Sequence, residues 1–114
     1  MQFRISDTFT DSLAKLTADA QKAAKTTAFD LQLNPANPGL QFHRLDRCKD
    51  KHFWSVRVNR DIRVIVHKTD ASLLLCYVDH HDKAYRDVKR LGRKMRLAES
   101  GRQQAWMVFE RLRQ

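Results

Sequence analysis

Three glycines, two prolines and two cysteines are all that the 114-residue chain contains of these residues, and each scarcity excludes a class of protein. So little glycine and proline excludes a collagen-like repeat and a low-complexity disordered chain. Cys48 and Cys76 stand alone, with no CxxC and no zinc-ribbon spacing, so a disulfide scaffold is excluded and reduced thiols in a cytoplasmic protein are expected. Long apolar runs are missing as well. The longest, residues 73–78, is far short of a bilayer span, and the opening MQFRISDTF has no apolar core of a signal peptide, so no membrane partner is expected. No phosphate-binding glycine loop, GxGxxG, HExxH or GxSxG occurs, so no cofactor is expected.

What is abundant is positive charge. Lysine and arginine number 22 against 13 acidic residues, a formal +9. Residues 1–40 are neutral overall, so the whole excess lies in residues 41–114. From Lys83 onward, ten basic side chains face only three acidic ones. An anion-binding surface is therefore expected from the second half of the chain, with a nucleic acid or an acidic protein as its partner.

Hydrophobic periodicity predicts a single α+β domain of order β-α-α-β-β-β-β-α, with helices packed on a twisted antiparallel sheet, over residues 1–100. An amphipathic helical extension follows at 101–114. Gln2 to Ser6 alternates as a short strand. Asp7 or Thr8 is placed to cap a helix on which Phe9, Leu13 and Leu16 recur at helical spacing. A second helix, from about Thr17 to Leu33, carries Ala20, Ala24, Ala28 and Leu31 on one side, and the NPANPG segment at 34–39 stops it. The period then shortens to two, with strands expected at Leu40–Leu45, His52–Asn59, Ile62–Lys68 and Ser72–Asp79. From Asp82 a helix resumes on the stripe Ala84, Val88, Leu91, Met95 and Ala98. Trp106 and Phe109 mark the short helix of the tail.

The hairpin HFWSVRVNRDIRVIVH is the most informative segment. A three-residue loop at Asn59, Arg60 and Asp61 pairs Val58 with Ile62, Val56 with Val64 and Trp54 with Val66, which makes one face wholly apolar. The other face opposes Arg57 to Arg63, Ser55 to Ile65 and Phe53 to His67. A slip of one residue scrambles this segregation, so the register is well specified. Two arginines directly opposed repel one another, an arrangement that makes sense when an anion lies between their guanidinium forks. The alternative is two solvated strand residues paired with nearby carboxylates. Arg60 at the turn adds a third positive charge.

A second cluster, Asp79-His80-His81-Asp82-Lys83-Ala84-Tyr85-Arg86, spans the change from the last strand to the helix. Imidazoles there supply a proton carrier near neutral pH. Adjacent strand residues point to opposite faces, so this run makes a poor metal site and no metal ligands are assigned. Asp79 or Asp82 is read as a helix cap. Lys83, Arg86, Lys89, Arg90 and Arg93 give the following helix a basic surface suited to RNA. Tyr85, Phe53 and Tyr77 are candidates for stacking on a base, Trp54 and Phe42 for the core, and His43, His52 and His67 for surface polar roles.

The element order and the string FWSVRVNRDIRVIVHKTDASLLLCYVDHHDKAY resemble the RelE/ParE toxin superfamily of bacterial type II toxin–antitoxin systems, over about residues 1–97. For its RelE-like branch the resemblance implies a microbial RNase-like fold and cleavage of mRNA on the ribosome. A ribose 2′-OH attacks the adjacent phosphate there without metal, and a small antitoxin protein is the expected partner. It implies that Arg63 binds phosphate, Arg57 is the basic residue on the neighbouring strand, and Tyr85 stacks on a base or assists proton transfer. His80 or His81 takes the acid–base role. Ser55 stands about where relatives carry a further lysine. ParE-like members of the same fold inhibit gyrase and keep no nuclease residues, so a non-catalytic inhibitor or a docking module for nucleic acid or protein is the alternative implied.

Overall fold

Ser6 closes the first strand and caps the first helix. Its Oγ accepts from the Phe9 main-chain N–H at 3.2 Å and donates to the Leu75 carbonyl at 2.8 Å. The cap therefore falls one residue before Asp7 and two before Thr8, the expected positions. Thr8 instead donates its hydroxyl to the Cys76 carbonyl at 2.6 Å. Both hydroxyls serve the strand beside them as much as the helix, which local cap preference does not register.

The structure is a computed structural model that describes residues 2–46, 48 and 50–84. Strand β1 (Gln2–Ile5) leads into α1 (Asp7–Ala14) and α2 (Ala18–Leu33), followed by β2 (His43–Arg44), β3 (Phe53–Arg57), β4 (Ile62–Lys68) and β5 (Ser72–His80). Residues 81–84 open a further helix. The remainder of the expected basic helix, the boundary near residue 100 and the 101–114 tail lie outside the described residues.

The strands form one sheet in the order β1-β5-β4-β3-β2. The β2-β3-β4-β5 meander is antiparallel as expected, but β1 joins the edge of β5 in parallel, so the sheet is mixed. The connection from β1 to β5 spans most of the domain, and the α1–α2 pair within it covers one face on the way.

The strand expected at Leu40–Leu45 shrinks to two residues. Pro38–Leu40 is a 3₁₀ turn, with Asn37 Oδ1 accepting from the Gly39 N–H at 2.9 Å, and Gln41 follows at φ 47°. A left-handed residue at that point breaks the extended chain, so β2 starts only at His43.

The β3–β4 register is the one expected, with Trp54 opposite Val66, Val56 opposite Val64 and Arg57 opposite Arg63. Val56, Ile62, Val64 and Val66 pack with Leu73, Leu75 and Val78 of β5 against Phe9, Ala24 and Leu31 of the helices. The other face is buried as well at its open end. Leu45 and Cys48 of the loop before β3, together with Ala84, cover Phe53, Ile65, Leu74 and Cys76.

One irregularity in β5 governs what lies on each face. Val66 pairs with Leu75 and Ile65 with Tyr77, so Cys76 is an extra residue. Such a bulge reverses the alternation of the strand beyond it. It turns Tyr77 and Asp79 to the face of Ile65 and Arg63, and Val78 and His80 to the helix side. Val78 lies past the end of β1, and Ser12 Oγ of α1 accepts its N–H at 3.0 Å.

Candidate functional site

The turn of the β3–β4 hairpin is built around Asn59. Its Oδ1 accepts the N–H groups of Asp61 and Ile62, both at 2.9 Å, and so replaces backbone acceptors in the turn. That leaves the Asn59 main-chain carbonyl outward, and both arginines reach it. Arg63 Nη1 donates at 2.6 Å and Arg57 Nε at 3.4 Å; Arg63 Nη1 also meets the Ile62 carbonyl at 3.0 Å.

Arg57 is exposed and Arg63 half-buried. Among the described residues no carboxylate forms an ion pair with either. A guanidinium carries five N–H donors, so most of theirs remain for a ligand on the open side. The third member of this row is Asp79, opposite Arg63 on β5. Its carboxylate accepts from the Tyr77 hydroxyl at 2.8 Å and the His80 N–H at 2.7 Å.

The two expected histidines are separated by this geometry. His80 pairs with Ile62, on the helix side of the sheet, away from the arginines. His81 begins the helical turn, and its main-chain N–H donates to the Asp61 carbonyl at 2.6 Å, which pins it to the tip of the hairpin. Its ring Nδ1 lies 3.3 Å from Asp82 Oδ1. Arg60 at the turn and Lys83 beyond it are both exposed. Tyr85, Arg86, Lys89, Arg90 and Arg93 lie outside the described residues.

Two of the aromatic and histidine expectations change, those for Phe53 and His67. Phe53 is fully buried and unavailable for stacking on a base. Tyr77 is half-buried, with its hydroxyl committed to Asp79. Phe42 and Trp54 do pack on the helix-side core, edge to face at 6.2 Å, under Arg44 and Lys68. His67 is not a surface residue. It is 5% exposed, with Nε2 3.0 Å from Asp50 Oδ2. Burial alone would raise the Asp50 carboxyl. Hydrogen bonds from the His67 ring and from the main chain and ring of His52 prevail and hold it well below the usual carboxylate range.

His43 belongs to no motif, so sequence reasoning misses it as a site residue. It pairs with Ser55, two residues from Arg57 along the same face of β3, which sets it diagonally about 7–8 Å from Arg57 in the backbone. Only the β2–β3 register reveals this, and a two-residue strand has no periodicity to read.

A family model described as HigB-like toxin, the RelE-like toxin of type II toxin–antitoxin system HigB, matches residues 3–81. No curated protein matches the chain. Among solved structures, the toxin–antitoxin complex RelBE2 from Mycobacterium tuberculosis aligns with TM-score 0.57 at 24% identity, covering 70% of this chain and 90% of that one. YafQ from Escherichia coli aligns with TM-score 0.57 at 20% identity, over 73% and 96% of the two chains. A copper-bound mutant toxin from Helicobacter pylori aligns with TM-score 0.56 at 20% identity, over 73% and 97%. At these identities the neighbours establish the fold. Among the described residues no helix is long and apolar enough to cross a membrane.

Proposed function

The chain belongs to the HigB-like family, the RelE-like toxins of type II toxin–antitoxin systems, and on that premise we propose that it is a ribosome-dependent mRNA endoribonuclease. The observation that carries this reading is the Arg57–Arg63 pair, opposed on one sheet face with no carboxylate partner among the described residues.

In the proposed reaction the ribose 2′-oxygen forms a bond to the adjacent phosphorus while the bond from phosphorus to the 5′-oxygen breaks. A 2′,3′-cyclic phosphate and a 5′-hydroxyl result. Arg57 and Arg63 bind the non-bridging oxygens and stabilise the charge that builds on them, which a pre-positioned site does without reorganisation. One imidazole takes the 2′-hydroxyl proton and a second group returns a proton to the departing 5′-oxygen, for which well-placed acid–base groups contribute about 10²–10⁴-fold. His81, fastened to the hairpin tip, suits this role better than His80. His43, on the arginines' face, is the other candidate. Tyr85 is proposed to stack on a base. Arg60, Lys83, Arg86, Lys89, Arg90 and Arg93 are proposed to hold RNA, giving affinity that falls with salt. Cleavage by this route needs no metal or cofactor.

A small antitoxin is the proposed protein partner. The M. tuberculosis neighbour was solved as a toxin–antitoxin complex. Cytoplasmic action on mRNA completes the reading.

Asp79 favours a second reading. Its carboxylate stands in the same row as the arginines and opposes a phosphate there. A non-catalytic inhibitor of the gyrase-directed kind, or a docking module for nucleic acid or protein on this fold, tolerates that charge. Inducible expression of the chain and of Arg63→Ala, with transcript ends mapped on ribosomes, separates the two. Arrest with mapped cuts that Arg63→Ala abolishes supports the nuclease. Arrest without cuts, or cuts undiminished in Arg63→Ala, rejects it.

A further inference from the structure

At the open end of the β3–β4 hairpin, four residues from the arginines along the same face, Asp50, His52 and His67 converge. At strand rise this lies about 13 Å from the arginine row. The proposed cleavage uses none of these residues.

The convergence follows from the fold. His67 sits on β4 opposite Phe53, and its ring stands edge-on to Phe53 at 5.0 Å. His52 immediately precedes β3, and its carbonyl accepts from the Lys68 N–H at 2.9 Å, which extends the ladder by one residue. Asp50 lies two residues further back, where its Oδ1 accepts both the His52 N–H and a contact from His52 Nδ1, each at 2.9 Å. Oδ2 meets His67 Nε2 at 3.0 Å. The two imidazole nitrogens and the carboxylate thus lie within 4.8 Å of one another.

We propose that Asp50, His52 and His67 form a binding site for one borderline divalent transition-metal ion, Zn²⁺ above all, which staples the loop before β3 to the sheet. Ligand bonds of about 2.0–2.2 Å in a tetrahedron put donor atoms about 3.4 Å apart, so to admit the ion the carboxylate contacts open by a few tenths of an ångström and the two imidazole nitrogens, within 4.8 Å of one another, draw together. Two imidazoles with one carboxylate suit Zn²⁺, Cu²⁺ or Ni²⁺ and disfavour Mg²⁺ and Ca²⁺, which take oxygen donors. Burial sets the order of assembly. The His67 and Asp50 side chains are 6% and 11% exposed and form the floor, while His52 is 59% exposed and leaves its side open for entry and for a water as fourth ligand. A proton on a ligating nitrogen must leave it for the ion to bind, passing to the other nitrogen of the ring when the imidazole is neutral and to solvent when it is an imidazolium. The loop so fastened carries Leu45 and Cys48 onto the second core, and the site is structural, apart from the arginine row.

The test is a calorimetric titration of the full chain, stripped with chelator, with ZnSO₄ and separately with MgCl₂, alongside thermal melts. Expected are one Zn²⁺ per chain with micromolar or tighter affinity, a rise in Tm with Zn²⁺, and none with Mg²⁺. His52→Ala, on the exposed ligand, keeps the fold by circular dichroism and loses at least about tenfold in affinity. Asp50→Asn loses affinity in the same way. No saturable binding below about 100 µM Zn²⁺, or wild-type affinity in both His52→Ala and Asp50→Asn, overturns the proposal, the second by placing the ion elsewhere. Neither result bears on RNA cleavage, which Arg63→Ala reports.

Discussion

Arg57 and Arg63 stand opposite one another on β3 and β4 and both donate to the carbonyl of Asn59, at 3.4 and 2.6 Å. A shared acceptor with a partial negative charge offsets part of the repulsion between two like charges in directly opposed positions. The remainder stays in the fold as a cost that an anion between them removes.

Replacing Arg57 by threonine therefore separates function from stability. Arg57 is exposed and its hydrogen bond is long, so Arg57→Thr removes the repulsion and adds a good strand former. The urea midpoint rises by the equivalent of about 0.2–1 kcal/mol at low ionic strength, and the gain shrinks as salt screens the pair. RNA cleavage, on the proposed function, falls at least about tenfold in the same protein.

The turn itself depends on one side chain. Asn59→Ala leaves the N–H groups of Asp61 and Ile62 without their acceptor. The expected loss is about 1–2 kcal/mol in chemical denaturation. Asn59→Asp keeps the acceptor geometry and restores most of that stability, although its new charge next to the arginines lowers affinity for RNA.

At the other end of the fold, Ser6→Ala removes the cap of α1 and the hydroxyl that meets Leu75 across the β1–β5 seam. Thermal or urea unfolding is expected to register a loss of about 1–3 kcal/mol. Asp7→Ala, at the position that local sequence favours, costs less than Ser6→Ala.

Phe53 gives a test that distinguishes packing from stacking. Its side chain is completely buried among Ile65, Leu74 and Cys76. Phe53→Ala is expected to destabilise by about 3–5 kcal/mol, whereas Phe53→Leu retains the fold and RNA affinity. Loss of RNA binding in a stably folded Phe53→Leu would restore a stacking role.

Cysteine chemistry follows burial. Burial pushes the Cys76 thiol well above its ordinary range, against a smaller opposing pull from a main-chain hydrogen bond with His67. Cys76 and Cys48 are both buried thiols outside any disulfide. At pH 8 a chromogenic disulfide reagent is expected to label Cys76 only as fast as the protein unfolds, and two thiols per chain react at once in guanidinium.

The amino-acid sequence by itself determined the features that rest on short-range repetition. The stripe Phe9, Leu13, Leu16 and the alanine face of α2 follow from helical periodicity. The β3–β4 register and the Arg57–Arg63 opposition follow from a period of two closed by an Asn-Arg-Asp loop. These are local because each is set by neighbours a few residues apart. Tertiary structure alone decided the rest. The extra residue at Cys76 reverses the alternation of β5, sending Asp79 to the arginines and His80 away from them, and nothing in the composition of LLLCYVDH marks where that reversal falls. Parallel docking of β1, the capping role of Ser6 and the burial of His67 beside Asp50 likewise join residues 17 to 70 positions apart. Their energies come from contacts that exist only once the sheet has closed, so no window of the sequence contains them.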